Sequence, residues 1–526
     1  MTATESESED TAMSGAPSLG EVVISHGRTP SQTDPHHHSL RHTSDALINV
    51  YEGLMMLDTS REPAQLVPKL ATDWELVDDT TFVLDIREGV QFHNGDTLGV
   101  EDVVFSIRRM ADPDIDGATQ YQGDYDAILE EVNGDEEDRT VTMHLTQRDS
   151  LIAQVVASAS KIMNKAWVEE RSREETAAQA NGTGPYQVDR MQDGIEMSLT
   201  RFDDWWGNDV IGDWVGEPHT DIEHPIPERL TFSGSSEAST RANQVIAGDS
   251  HLVTNLNPAD FDRVDSSEGA RMKQFTIDRT QYIAMNDLYE PFDSQEFRQA
   301  MNYAIDSEAI VEEVLNGRGT AEGQPAPPSW PGYNPDVDPY PHDPEEATRL
   351  VEESGYTGEM ELELKAAFGR VSKGRETALA VANQITESVP NVTCTVNEMS
   401  EAALDDIKRG SGPEDQEGRG DFFMNNTGGS PAHAARGKVN SYIYSGGHSN
   451  TFSDSEIDEL FEEAVSAPRD ELDEIGHEMM ELVHEKAPWL FLFIRGGAWG
   501  INNEIDLAPS ANESMEPYEI HPYDGN

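Results

Sequence analysis

The chain has 526 residues, more than one hydrophobic core holds at usual domain sizes, so roughly two or three domains are expected. It carries 101 acidic against 36 basic residues, a formal net charge of −65, and no basic stripe that would neutralise phosphates, which excludes nucleic acid as a partner. The acid is spread over segments that also carry apolar patterning, which reads as adaptation to high salt: at molar salt the Debye length is about 3 Å and self-repulsion is screened.

The opening stretch, residues 1–18, is acidic and rich in Ser and Thr and reads as a disordered tether, without the basic and apolar regions of a signal peptide. Folded sequence is expected from "GEVVISHG", a short strand. "TDPHHHSLRH" then places His36, His37 and His38 side by side with His42 beyond them. "SDALINVYEGLMML" has helical spacing with Ser44 as N-cap. "TTFVLDIREGVQFHNGD" alternates through Phe82, Leu84 and Ile86 and turns at Gly89 and Asn94–Gly95, a hairpin signal. "VEDVVFSIRRM" returns to helical periodicity, "RTVTMHLTQ" reads as a strand, and residues 151–180 as a long helical stretch.

Strands follow from "GTGPYQV" to about Asn286, then a helical pair in "DSQEFRQAMNYAIDSEAIVEEVLNG" stopped by Gly317. The Pro-rich "GQPAPPSWPGYNPDVDPYPHDP" reads as a loop ordered by its aromatics. "PEEATRLVEESGY" is a short helix, "EMELELKAAF" a strand, and residues 455–494 two helices and a buried strand. Helices and strands alternate without a strict βαβ rhythm, so α/β lobes with mixed sheets are expected. Cys394 is the single cysteine, which leaves no intrachain disulfide, and no run of about 18 apolar residues occurs. No G-x-S-x-G, P-loop or H-E-x-x-H pattern is present, so the sequence reads as a binding protein rather than an enzyme.

Several ordered stretches resemble the extracellular solute-binding proteins of ABC importers, family 5, the oligopeptide, dipeptide and nickel type. They are "TDPHHHSLRHTSDALINVYEGLMMLD", the block "LVPKLATDWELVDDTTFVLDIREGVQFHNGDTLGVEDVVFSIRRM", "GTGPYQV", "RFDDWWG", "FRQAMNYAIDSEAIVEEVLNGRG" and "DPEEATRLVEESGY". Each is weak alone; their order and spacing over roughly residues 20–525 carry the likeness. The resemblance implies a two-lobed periplasmic-binding-protein-like fold (type II, the large class) with mixed sheets and a hinge. Lobe 1 would span residues 19–285 with an extra subdomain at about 61–180, lobe 2 residues 286–496, and the chain would return to lobe 1 over 497–526. The implied function is capture of a peptide-like or other polar organic solute between the lobes, by a monomer outside the cell that partners ABC permease subunits and needs no cofactor.

The histidine cluster falls where the family's first ligand-facing loop lies, which makes His36, His37, His38, Ser39 and Arg41 candidate ligand contacts. His38 and His42 would share one face as an alternative metal pair if that turn is helical. A metal-dependent hydrolase built on His36–His42 is the reading from another class, and a chelated metal or saccharide the rival ligand. The family's lobe-2 strand with an amine-binding Asp corresponds to "DFFMNNTGGSPAH", which gives Asn426, Thr427, Gly428 and Ser430, with Ser430 where the Asp is expected and Asp421 the alternative acid. Asn255 and Asn257 correspond to a ligand-contacting strand end, or else cap the helix at Pro258. Phe491, Phe493 or Trp499 would floor the pocket, Tyr121 and Tyr125 would reach its edge, and Trp205 and Trp206 read as core.

Overall fold

Two strands organise the protein, and both are long enough to belong to two lobes at once. In this computed structural model, Ala270–Met285 runs for 16 residues and Trp489–Asn502 for 14, antiparallel to each other. Residues 19–38, 40–58, 64–112, 125, 128–210, 225–368, 373–410, 416–426, 434, 439, 442–447, 449–523 and 525 are described. The expected tether and the candidates Ser39, Tyr121, Thr427, Gly428 and Ser430 lie outside them.

The long pair is the spine of an 11-stranded mixed sheet. On one side of a register shift, Ala270–Thr276 pairs with Asn502–Gly496; Leu252–Val253, Leu19–His26, Pro227–Gly234, Glu196–Arg201 and Tyr186–Gln192 extend this half. On the other side, Thr280–Ala284 pairs with Ile494–Trp489, and Phe422–Asn426, Met360–Ala366 and Val392–Glu398 extend the second half. The lobes therefore meet where register shifts between Thr276 and Thr280. On the partner strand the same shift falls between Gly496 and Ile494.

Each half has its own apolar core. One is built around Val22, Ile24, Phe232 and Ile501, the other around Phe297, Met301, Leu364 and Leu492. A third core belongs to a four-stranded antiparallel sheet, in the order Ala71–Asp78, Thr81–Ile86, Thr140–Leu145, Leu129–Asp135, covered by the helix Val100–Ala111. It is a separate sheet with a core of its own. This subdomain reaches lobe 2, where Leu151 packs with Ala464, Ala467, Leu472 and Ile475. The Ser150 N–H also donates to the Val465 carbonyl at 3.0 Å.

Three local expectations are corrected. The strand Thr81–Ile86 makes its hairpin backwards with Ala71–Asp78, because Gly89 and Gly95 (φ +77° and +89°) turn a loop that contributes only a Gln91–Thr97 bridge. The stretch 151–180 is three short helices, Ile152–Ser158, Lys165–Glu169 and Arg173–Thr176, since Asn164 and Ser172 cap new starts. The helix expected through residue 57 is Arg41–Leu47 alone; after it Gly53 passes so close to Ser160 that a Cβ would lie 2.9 Å from its carbonyl oxygen, and Met55–Asp58 is a strand. The helices Gln295–Tyr303 and Pro344–Glu353 and the strand Met360–Ala366 stand as expected. In the Pro-rich loop, Trp330 is buried.

Candidate ligand cleft

A cavity of about 500 Å³ opens where the two long strands change lobes. Lobe 1 contributes His26 and Arg28 from the end of its central strand, Arg41, His42 and Asp45 from the first helix, and Asn255 from the turn after Leu252–Val253. The spine contributes Ile277, Arg279, Phe493, Arg495 and Trp499, and lobe 2 adds Leu315, Arg318 and Lys373. Glu513 closes one side. A second cavity of about 280 Å³ shares Arg41, Asp45, Arg279 and Glu513 with the first and adds His38 and Lys161. The volumes match sites for small organic solutes, which run from about 300 to 1,000 Å³.

Strand geometry explains why polar groups are delivered here. A parallel sheet ends its strands in a common edge, and Leu19–His26 aligns with Pro227–Gly234 and Leu252–Val253, so His26, Arg28 and Asn255 emerge together. Asn255 takes φ +53°, a left-handed turn that Asn tolerates better than other residues with a Cβ. His26 is 3% exposed; its Nδ1 meets Thr254 Oγ1 at 2.9 Å and its Nε2 has no hydrogen bond. Burial, with the charges of His42, Arg41 and Arg241 adding to it, pushes its pKa down to about 3, so it is a neutral imidazole. Asp45, beside it, receives the Arg41 Nε–H at 2.6 Å, yet burial raises its carboxyl to about 6.

The histidine run splits into different environments. His36 is fully buried inside lobe 1: its Nδ1 accepts from Arg109 Nη1 at 2.8 Å and its Nε2 meets the Lys161 carbonyl at 2.8 Å. Arg109 in turn holds Asp34 in a two-pronged ion pair at 2.6 and 3.1 Å. His36 is therefore a structural residue and not the cleft contact expected. His37 is half-buried, its carbonyl accepting from Gln32, and lines none of these cavities. His38 lines the second cavity and His42 the first. The first helix starts at Arg41, so the helical spacing that would pair His38 with His42 does not exist. Among the described residues no group of three or more His, Cys, Asp or Glu is placed to hold a metal ion.

The other candidates divide in the same way. Arg41, Asn255, Phe493 and Trp499 line the main cavity. Asn257 instead caps the turn Pro258–Asp260, accepting from the Ala259 N–H at 3.2 Å. Phe491 is buried in the lobe-2 core against Trp489 and Tyr340; a regular strand would put it on the same face as Phe493, but the register shift between Gln281–Phe493 and Tyr282–Phe491 inserts Leu492 as an extra residue and sends the two rings to opposite sides. Asn426 ends its strand opposite Gln281 and lines none of the cavities, and Asp421 pairs with Lys365. Tyr125 is core, its hydroxyl donating to the Ala159 carbonyl at 2.5 Å. Trp205 is buried as expected, and Trp206 donates to Glu52 at 2.7 Å.

Sequence reasoning missed most of the cleft's charge: Arg28, Asp45, Arg279, Arg318, Lys373, Arg495 and Glu513. One signal was present. Arg495 interrupts the apolar run "WLFLFI" just before Gly496 and Gly497, and a cation in an otherwise buried strand is the informative kind of exception.

The family model "Bacterial extracellular solute-binding proteins, family 5 Middle" matches residues 65–449. The chain is 25% identical over 457 residues to Heme-binding protein A of Haemophilus influenzae, covering 83% of this chain and 80% of that one. It is 26% identical over 311 residues to the Dipeptide-binding protein of Escherichia coli, covering 55% of each. The solved structure of HbpA2 from Haemophilus parasuis superposes with a TM-score of 0.81 at 21% identity, over 95% of this chain and 99% of that one. With the match spanning most of its length and the two-lobed fold shared, the chain belongs to the family 5 extracellular solute-binding proteins.

Proposed function

We propose that the protein is the solute-capturing component of an ABC importer, holding a polar organic solute between its lobes and presenting the closed form to permease subunits outside the cell. The observation that carries this reading is the position of the main cavity. It lies on the register shift of the two crossing strands and takes side chains from both lobes. A solute there touches both lobes at once, so it binds the closed form better than the open form and shifts the population toward closure. No chemical step is needed. Relatives named for heme and for dipeptides support organic cargo, and Ser430, at the position where the family resemblance places an amine-binding Asp, favours a ligand other than a free peptide.

Protein purified in molar salt and analysed by native mass spectrometry, then denatured, is expected to release a stoichiometric small organic solute. Stripping that solute should enlarge the radius of gyration in X-ray scattering, and adding it back should restore compaction. A radius unchanged by any solute would remove the reading.

A further inference from the structure

In a chain of net charge −65, six cations converge on one cavity of about 500 Å³. Arg28 and Arg41 come from lobe 1, Arg279 and Arg495 from the spine at the crossing, and Arg318 and Lys373 from lobe 2. Among the described residues two carboxylates line the same space, and both are engaged: Asp45 with Arg41 at 2.6 Å and Glu513 with Arg279 at 3.3 Å. Lys373 is held by Glu376 at 3.1 Å. Among the described residues, no carboxylate pairs with Arg28, Arg318 or Arg495. Arg318 lies over the Phe261 ring at 4.2 Å with its Nε buried and without a hydrogen bond. Arg495 pairs in strand register with Gly319, the first residue of the strand Gly319–Ala321, and Arg318 immediately precedes that strand.

Such a cluster is unfavourable when empty. Burial disfavours the Arg495 charge, the nearby Arg279 adds to that, and Glu513 offsets it in part. A guanidinium does not relieve this by releasing a proton, because arginine stays charged in proteins. An anion relieves it, and guanidinium forks suit oxyanions because they donate two parallel hydrogen bonds. The general acidity of the chain makes the contrast sharper, since neither composition nor surface charge predicts a basic cleft.

We infer that the captured solute is a small organic polyanion bearing at least two carboxylate or phosphate groups, held by Arg495 and Arg318 together with Arg28. This rests on the solute-receptor reading above and names its substrate class. With cations on both lobes, the anion also does mechanical work: it converts like-charge repulsion across the cleft into attraction, so closure follows neutralisation.

The test is calorimetric titration in molar KCl with propane-1,2,3-tricarboxylate, its neutral triamide, fructose 1,6-bisphosphate, Ala-Ala and Asp-Glu. At least one polyanion is expected to bind tenfold or more tighter than the triamide and Ala-Ala, and the carboxylate and phosphate arms identify which oxyanion is preferred. Arg495→Met and Arg318→Met should each weaken that binding at least tenfold. Their melting temperatures without ligand should equal or exceed that of the unmodified protein, because at each cation the cost of burial exceeds the offset from its neighbouring carboxylate, Asp262 for Arg318 and Glu513 for Arg495. Equal binding of the triamide, or unchanged anion affinity in both variants, would overturn the inference. A neutral or cationic solute that closes the lobes would also overturn it, while leaving the receptor reading intact.

Discussion

Asp45 sets how much negative charge the cleft itself contributes. It is 4% exposed and faces Arg41 at 2.6 Å, His26 Nε2 at 3.7 Å, and more distantly Glu513, whose charge also disfavours its ionisation. Its pKa rises from 3.8 to about 6, chiefly through burial. Between those values the folded protein keeps a proton that the unfolded chain has released, so the contribution of this group to stability falls as pH rises from about 4 to 6. Asp45→Asn is expected to flatten that part of the stability profile in thermal melts across pH 4–7. In the unmodified protein, deprotonation of Asp45 also adds a negative charge beside the proposed anion. Anion affinity should therefore be higher at pH 5 than at pH 7, and the Asn variant should lose most of that difference; an unaltered profile would assign the slope to other groups. The same scale shows why the histidine run misled: residues adjacent in sequence diverge in space, and only burial separates the structural His36 from the cleft-lining His42.

At the scale of elements, the junction of subdomain and lobe 2 is expected to act on closure at a distance from the cavity. Leu151 is 1% exposed and packs on Ala464, Ala467, Leu472 and Ile475, while the Ser150 hydroxyl donates to the Ala467 carbonyl at 2.5 Å. These contacts join residues more than 300 positions apart in the chain. Leu151→Ala at such a site costs about 2 kcal/mol, the low end for a buried leucine. If the contact is specific to the closed form, that corresponds to ligand release faster by roughly thirtyfold. Stopped-flow release with an unchanged rate would show that the junction persists in the open form. Elements built from local periodicity were legible in the sequence: Val100–Ala111, Gln295–Tyr303 and Pro344–Glu353 follow from apolar spacing and their stops. The stretch 151–180 was not, because caps at Asn164 and Ser172 outweigh a run of helix-forming residues. The cleft cations were not legible either. Arg28, Arg279, Arg318 and Arg495 become neighbours only through strand pairing, and no local pattern marks them as a set.

For the whole molecule, the acidic surplus leads to the prediction that folding depends on salt. With roughly one uncompensated negative charge per eight residues, the acidic surface repels itself, and compaction brings those charges closer than in the unfolded chain. Many basic side chains are already committed to single exposed pairs such as Arg148–Asp79 and Lys165–Glu101, which solvent screens and which are too weak to offset a surplus of this size. At about 0.01 M salt the Debye length is near 30 Å and repulsion acts across a whole lobe; at 1 M it is about 3 Å and acts only between neighbours. The melting temperature is therefore expected to rise steeply between 0.1 and 2 M KCl, and the far-UV circular dichroism of folded protein to be lost on dialysis into dilute buffer. Sucrose, which favours compact states without screening charge, should rescue far less than KCl at matched osmolality. Equal rescue by both would assign the salt effect to exclusion from the protein surface instead of screening. The cleft should respond in the opposite sense to the rest of the surface. Screening removes attraction between its arginines and an anion, so affinity should weaken as stability grows, and weaken least for the enclosed Arg495. Working strength is then set by a balance in which enough salt is present to hold the acidic shell together, while enclosure keeps the basic cleft strong.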